Sequence, residues 1–209
     1  PAICRAAHAS GLTVMLDATV GTPFLIRPLQ HADTAERPDF VIHSYTKDLT
    51  GDGNTTAGVV IGRNVDMFMP KGDPGWEHTM FWNVYYVKGA FLDADKAFEV
   101  INGMRTLELR MLQKCIGTLV LARVLARHPG IRVRCNAVPG DENAPLRERL
   151  LYLGLPAPLF TIDFEGESGG AAPIGIDAFK RFFDCLEPAF GLQVSLGQTN
   201  TVILCPALT

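Results

Sequence analysis

Three short apolar runs set the pattern of the first sixty residues. Thr13-Val14-Met15-Leu16-Asp17, Phe40-Val41-Ile42-His43 and Ala57-Gly58-Val59-Val60-Ile61 are each too short for a helix. Each ends in a polar or glycine-bearing turn, as strands of a mostly parallel α/β sheet do. Upstream, Pro1 to Ser10 reads as the end of a helix that Gly11 stops. From Asp93, a candidate N-cap, the period changes. Phe98, Ile101, Leu112, Ile116, Leu119, Ala122 and Leu125 recur at helical spacing, with a break expected near Asn102-Gly103. Pro129-Gly130 ends that helix after His128 and marks the expected domain boundary.

The remainder has an α+β order. Ile131 to Cys135 and Leu159 to Phe164 alternate as strands. Asp177 to Phe190 reads as an amphipathic helix with Phe179, Phe182, Phe183 and Leu186 on its inner face. Leu192 to Leu196 and Val202 to Cys205 read as closing strands, and Pro139 to Pro145 and Glu165 to Pro173 as exposed loops. No internal repeat is present.

Composition narrows the classes. Hydrophobic residues make up 47% and charged residues 20% of 209 residues, which excludes a disordered chain. A net charge of −3 argues against a general nucleic-acid binder, and no apolar window is long enough to span a membrane. Five cysteines with wide spacings and no CxxC fit free thiols in a reducing cytoplasm. The five histidines form no HxxxH or HExxH, so no metal site is expected.

In open α/β sheets functional groups gather at the carboxyl ends of the strands. Asp17 and His43-Ser44-Tyr45-Thr46-Lys47 stand there. Lys47 reads either as a surface lysine after a capped turn or as a Schiff-base lysine. In the second case partial desolvation favours the neutral amine that attacks an aldehyde. Ser44 and Thr46 would then hold a phosphate. Asp17 reads either as a turn cap or as the carboxylate that keeps a pyridine nitrogen protonated.

The chain resembles the cystathionine γ-synthase/γ-lyase and methionine γ-lyase family, pyridoxal-phosphate enzymes of cysteine and methionine metabolism. The resemblance rests on Leu16-Asp17-Ala18-Thr19 with Thr22-Pro23, Pro28-Leu29, Val41 through Lys47, and Ala57-Gly58-Val59-Val60. Asn102 through Met111 is similar to the family's RGLxTLxxRM helix, and Ser195-Leu196-Gly197 to its SLGG segment. The resemblance implies fold type I: part of a mostly parallel-sheet large domain over 1–129, then part of a smaller α+β domain over 130–209. It implies that pyridoxal 5'-phosphate is bound by Lys47, Asp17, Ser44, Thr46 and Thr19, with Lys47 catalytic and Ser195 near the substrate carboxylate. It further implies a cytoplasmic homodimer or homotetramer performing β- or γ-elimination or γ-replacement on a Cys/Met/homoserine-type amino acid.

Departures qualify the inheritance of a substrate. Ala18 stands where the family has Asn, Asn102 where it has Arg, Asp48 where it has Tyr, and Gln198 where its SLGG has the last Gly. Arg63 to Phe91 has no clear match. These changes leave open other carbanion chemistry on the same cofactor, such as transamination or biosynthetic bond formation, and a non-catalytic scaffold. No GxGxxG follows a strand, against a nicotinamide site. The family's phosphate-cradling glycine turn and its carboxylate-clamping arginine have no counterpart here. The 209 residues therefore read as an interior piece, expected to bind the cofactor weakly and to be inactive alone.

Overall fold

A computed structural model describes residues 1–164, 175–186, 190 and 195–204. The chain divides into two compact units, Pro1–Arg105 and Thr106–Thr209.

The first unit opens with helix α1 (Ala2–Ala9). Gly11 ends it in the left-handed conformation (φ +70°), donating its amide to the His8 carbonyl at 2.9 Å. Strand β1 (Met15–Asp17) follows, then short helix α2 (Thr22–Leu25), which starts at a proline-bearing turn. Strand β2 (Phe40–Ser44) pairs parallel with β1, placing Leu16 opposite Val41 and Asp17 opposite Ile42. Asp39 locks the entry to β2, its carboxylate accepting the Val14 amide at 2.8 Å and lying 3.0 Å from His8 Nε2. Strand β3 (Gly58–Gly62) departs from the parallel pattern and runs antiparallel to β2. The reason is the connection. Residues 45–57 form a short stretch and hold no crossover helix, so the chain returns along the edge it has just left.

After short helix α3 (Asn64–Met67), the stretch from Phe68 to Phe91 forms a string of touching aromatic rings. Phe81 meets Phe68, Trp82 and Tyr85, and Trp82 donates Nε1–H to the Met69 carbonyl at 2.7 Å. Helix α4 (Ala94–Leu125) then runs through Gly103 without the expected break. Asp93 caps it, its carboxylate accepting the Lys96 amide at 2.8 Å.

In the second unit, β4 (Ile131–Arg134) and β5 (Thr161–Phe164) pair antiparallel. A small core of Ala122, Cys135 and Ala137 lies beneath Leu119, Val133, Val138 and Phe160. The expected loop at Pro139 to Pro145 gives way at its end to helix α5 (Ala144–Leu150), because Pro145 suits a first turn. Helix α6 (Ile176–Asp184) is shorter than expected, and Phe182 packs edge-on against Phe164 with ring centroids 4.8 Å apart. The loop expectation at 165–173, residues 192–194 of one closing strand and Cys205 of the other lie outside the described residues. The described parts of those two strands carry only an isolated bridge, at Ile203, since a strand needs a ladder partner.

Candidate active site

Asp17 is the last residue of β1, and Ser44 the last of β2. Because the two strands are parallel neighbours, their carboxyl ends come out side by side. A short relay ties them together. The Ser44 amide donates to Thr19 Oγ1 at 2.9 Å, and Asp17 Oδ1 accepts the Thr19 amide at 2.9 Å. Hydrogen bonds from the Thr19 hydroxyl and amide hold the Asp17 carboxyl below its ordinary pKa, against a smaller desolvation effect. Asp17 therefore stands ionised at neutral pH.

Directly after β2 the chain makes a wide turn over Tyr45–Leu49. The Thr50 amide reaches back five residues to the Tyr45 carbonyl at 3.1 Å. Lys47 sits in the middle with a non-helical backbone (φ −87°, ψ −135°). Thr46 faces the start of β3, its hydroxyl accepting the Ala57 amide at 3.1 Å. The Ser44 hydroxyl makes no hydrogen bond among the described residues, which leaves an open donor beside the lysine turn. The structure thus brings Asp17, Thr19, Ser44, Thr46 and Lys47 to one end of the sheet. Ser195 belongs to the second unit, where it lies partly buried in a stretch without regular secondary structure.

Two residues enter that the sequence reading did not single out for a role. His43 is 3% exposed, its Nδ1 is buried without a hydrogen-bond partner, and it follows the same alternation that buries Val41. Burial pushes its pKa down, partly offset by the Asp17 charge and by the main chain of Ala18. A neutral imidazole there leaves the Asp17 charge to another cation. Thr50, also 3% exposed, bonds back into the lysine turn. The signal for His43 was strand alternation; Thr50 had none.

The donor set fits pyridoxal phosphate. An ionised carboxylate suits a protonated ring nitrogen, an open hydroxyl suits a phosphate oxygen, and a lysine follows that hydroxyl three residues on, in the turn after β2. Among the described residues no group of three or more His, Cys, Asp or Glu is placed to hold a metal ion. No described helix is long and apolar enough to cross a membrane.

The chain is similar to known proteins. A profile of the family described as Cys/Met metabolism PLP-dependent enzyme matches residues 1–209. An L-methionine gamma-lyase of Porphyromonas gingivalis is 30% identical over 208 residues, covering 99% of this chain and 46% of that protein. One from Pseudomonas putida is 33% identical over 207 residues, covering 98% and 46%. An O-succinylhomoserine sulfhydrylase of Pseudomonas aeruginosa is 32% identical over 215 residues, covering 100% and 45%. The apo structure of a methionine gamma lyase from Micromonospora echinospora superposes with a TM-score of 0.77 at 24% identity, over 99% of this chain and 50% of that one. That likeness establishes a shared α/β fold. The chain spans about half the length of the curated relatives it matches.

Proposed function

The chain belongs to the Cys/Met metabolism PLP-dependent enzyme family, and from that membership we propose that this protein uses Lys47 and Asp17 for elimination or replacement on a sulfur amino acid. The substrate is of the Cys, Met or homoserine type, and the reaction is β- or γ-elimination or γ-replacement. The observation that carries the reading is the relay Asp17–Thr19–Ser44, which leads from the carboxylate to the turn bearing Lys47. The names of the relatives, methionine gamma-lyases and a homoserine sulfhydrylase, support the substrate class.

Pyridoxal phosphate supplies an electron sink for negative charge at the substrate α-carbon. The residues of this chain do the rest. Lys47 would hold the cofactor through its amine and, once the substrate amine has replaced it and freed that amine, would take the proton from the α-carbon. For γ-chemistry the same amine moves a second proton, at the β-carbon. Asp17, held ionised by Thr19, pairs with the ring nitrogen and keeps it protonated. The Ser44 and Thr46 hydroxyls donate to the phosphate, Thr19 orients Asp17, and Ser195 binds the substrate carboxylate. The boundary near Pro129-Gly130 separates the cofactor-binding domain from the smaller one. A homodimer or homotetramer in the cytoplasm completes the picture, which suits Cys4, Cys115, Cys135 and Cys185, none of which is in a disulfide among the described residues.

A second reading keeps the cofactor and changes the reaction. Ala18 is 6% and Asp48 3% exposed, so two departures from the family pattern are buried next to the site residues. They favour transamination or a bond-forming reaction as the alternative.

The test uses the full-length protein. Borohydride reduction and peptide mapping should find a pyridoxyl group on Lys47, lost in Lys47→Ala. A cofactor adduct trapped in Lys47→Ala overturns the lysine assignment. Release of ammonia and a 2-oxo acid from methionine, cysteine or an acylated homoserine identifies elimination, whereas amino transfer to an added 2-oxo acid establishes the second reading.

A further inference from the structure

Nothing in the proposed chemistry explains how the main chain around Lys47 is held. A five-residue turn whose central residue leaves the helical region has little intrinsic preference for one shape, so its neighbours must define it. Thr50 does so from within the turn. Its hydroxyl donates to the Tyr45 carbonyl at 2.8 Å and lies 3.4 Å from the Lys47 carbonyl. The Gly51 amide donates to that same Lys47 carbonyl at 3.0 Å. The carbonyls of Tyr45 and of Lys47 itself thus meet one buried hydroxyl.

Helix α4 backs this arrangement. A Cβ built on Gly103 would stand 2.6 Å from the Leu49 carbonyl oxygen and closer still to the Thr50 carbonyl oxygen and Cα. Those partners are main-chain atoms, which have no rotamer to escape into. Gly103 therefore lets the helix backbone lie directly against the residues that follow Lys47. By contrast, Gly117 of the same helix has nothing within 4 Å of its virtual Cβ.

We propose that Thr50 is a positioning residue for Lys47, seated by the close approach of α4 at Gly103. The proposal rests on the reading of Lys47 as the cofactor-bearing lysine. Asp17 and Ser44 are fixed by the sheet, so the amine meets an aldehyde held there only if the turn keeps its shape. A shift of about 1 Å in such a group is enough to weaken the reaction strongly.

The experiment compares full-length Thr50→Val, Thr50→Ser, Gly103→Ala and Gly117→Ala with the parent. Two quantities are read well below the melting temperature: affinity for pyridoxal phosphate, and the yield of borohydride trapping on Lys47. Thr50→Val keeps the shape and removes the donor, so affinity and trapping fall about tenfold, the scale of one buried hydrogen bond. Thr50→Ser stays within about twofold, because its hydroxyl can still bond. Gly103→Ala deletes no atom of Thr50 but pushes its main chain out of its seat, so it falls with Thr50→Val; Gly117→Ala matches the parent. A Thr50→Val protein that traps like the parent overturns the proposal, as does a Thr50→Ser protein that loses as much as Thr50→Val. If Thr50→Val does not fold, Gly103→Ala decides by the same two readings. A further measurement is independent of the cofactor: hydrogen exchange of the Gly51 amide in the apoprotein speeds up in Thr50→Val and Gly103→Ala. Unchanged exchange overturns the seat. A parent protein with no pyridoxyl group on Lys47 overturns the functional reading instead, and the exchange still decides the seat.

Discussion

His43 shows how one side chain can serve the sheet and the site together. It lies on the buried face of β2, opposite Val59, and its burial holds the imidazole neutral below the ordinary value of 6.5. The sign of the consequence follows from proton counting. Between its native and unfolded pKa values the unfolded chain binds a proton that the native chain does not, so stability falls as the pH drops below about 6.5. His43→Leu removes that slope. Urea unfolding at about pH 7.5 and about pH 5.5 should show a smaller loss of midpoint on acidification in the variant than in the parent. An equal loss in both removes His43 as the cause. At this scale the sequence is informative about chemistry. Asp17, Ser44 and Lys47 are legible because each stands just past an apolar run. The state of His43 is not, since a histidine on an alternating strand becomes buried only when a neighbouring layer covers it.

At the scale of elements, the helical period from Asp93 to Leu125 was strong enough to read, and the cap at Asp93 with it. Gly103 misled, because a glycine inside a helix signals either a break or a close approach, and the two look alike in sequence. The third apolar run misled in a similar way. Its length and composition suit a parallel or an antiparallel strand, and only the short connection of residues 45–57 selects the latter. Within α4, Met111 is fully buried, although its neighbours Leu109 and Ile116 are exposed. Met111→Ala should cost about 2–5 kcal/mol in denaturant unfolding, the range for truncating a large buried side chain. A loss below about 1 kcal/mol would mean that the site collapses around the smaller residue.

At the scale of the molecule, the two units are local cores built by different means. The first is organised by a three-stranded sheet, and Arg5, paired with Asp33 and Glu36, fastens α1 to the loop before β2. The second rests on a two-stranded sheet, with Arg147 donating to the Asn136 and Gly154 carbonyls to tie the α5 region together. The proposed assembly belongs to this scale. Light scattering of the full-length protein should give the mass of a dimer or tetramer, and a monomer at micromolar concentration counts against it.

The sequence by itself determined the short strands, the long helix and the chemical identity of the groups at the strand ends. Those properties are local: a run of apolar residues, a cap, a lysine after a strand. Tertiary structure alone decided the burial of His43 and the meeting of Gly103 with Thr50. Each of these joins residues far apart in the chain or depends on what covers a face, and no local pattern of side chains encodes such a meeting.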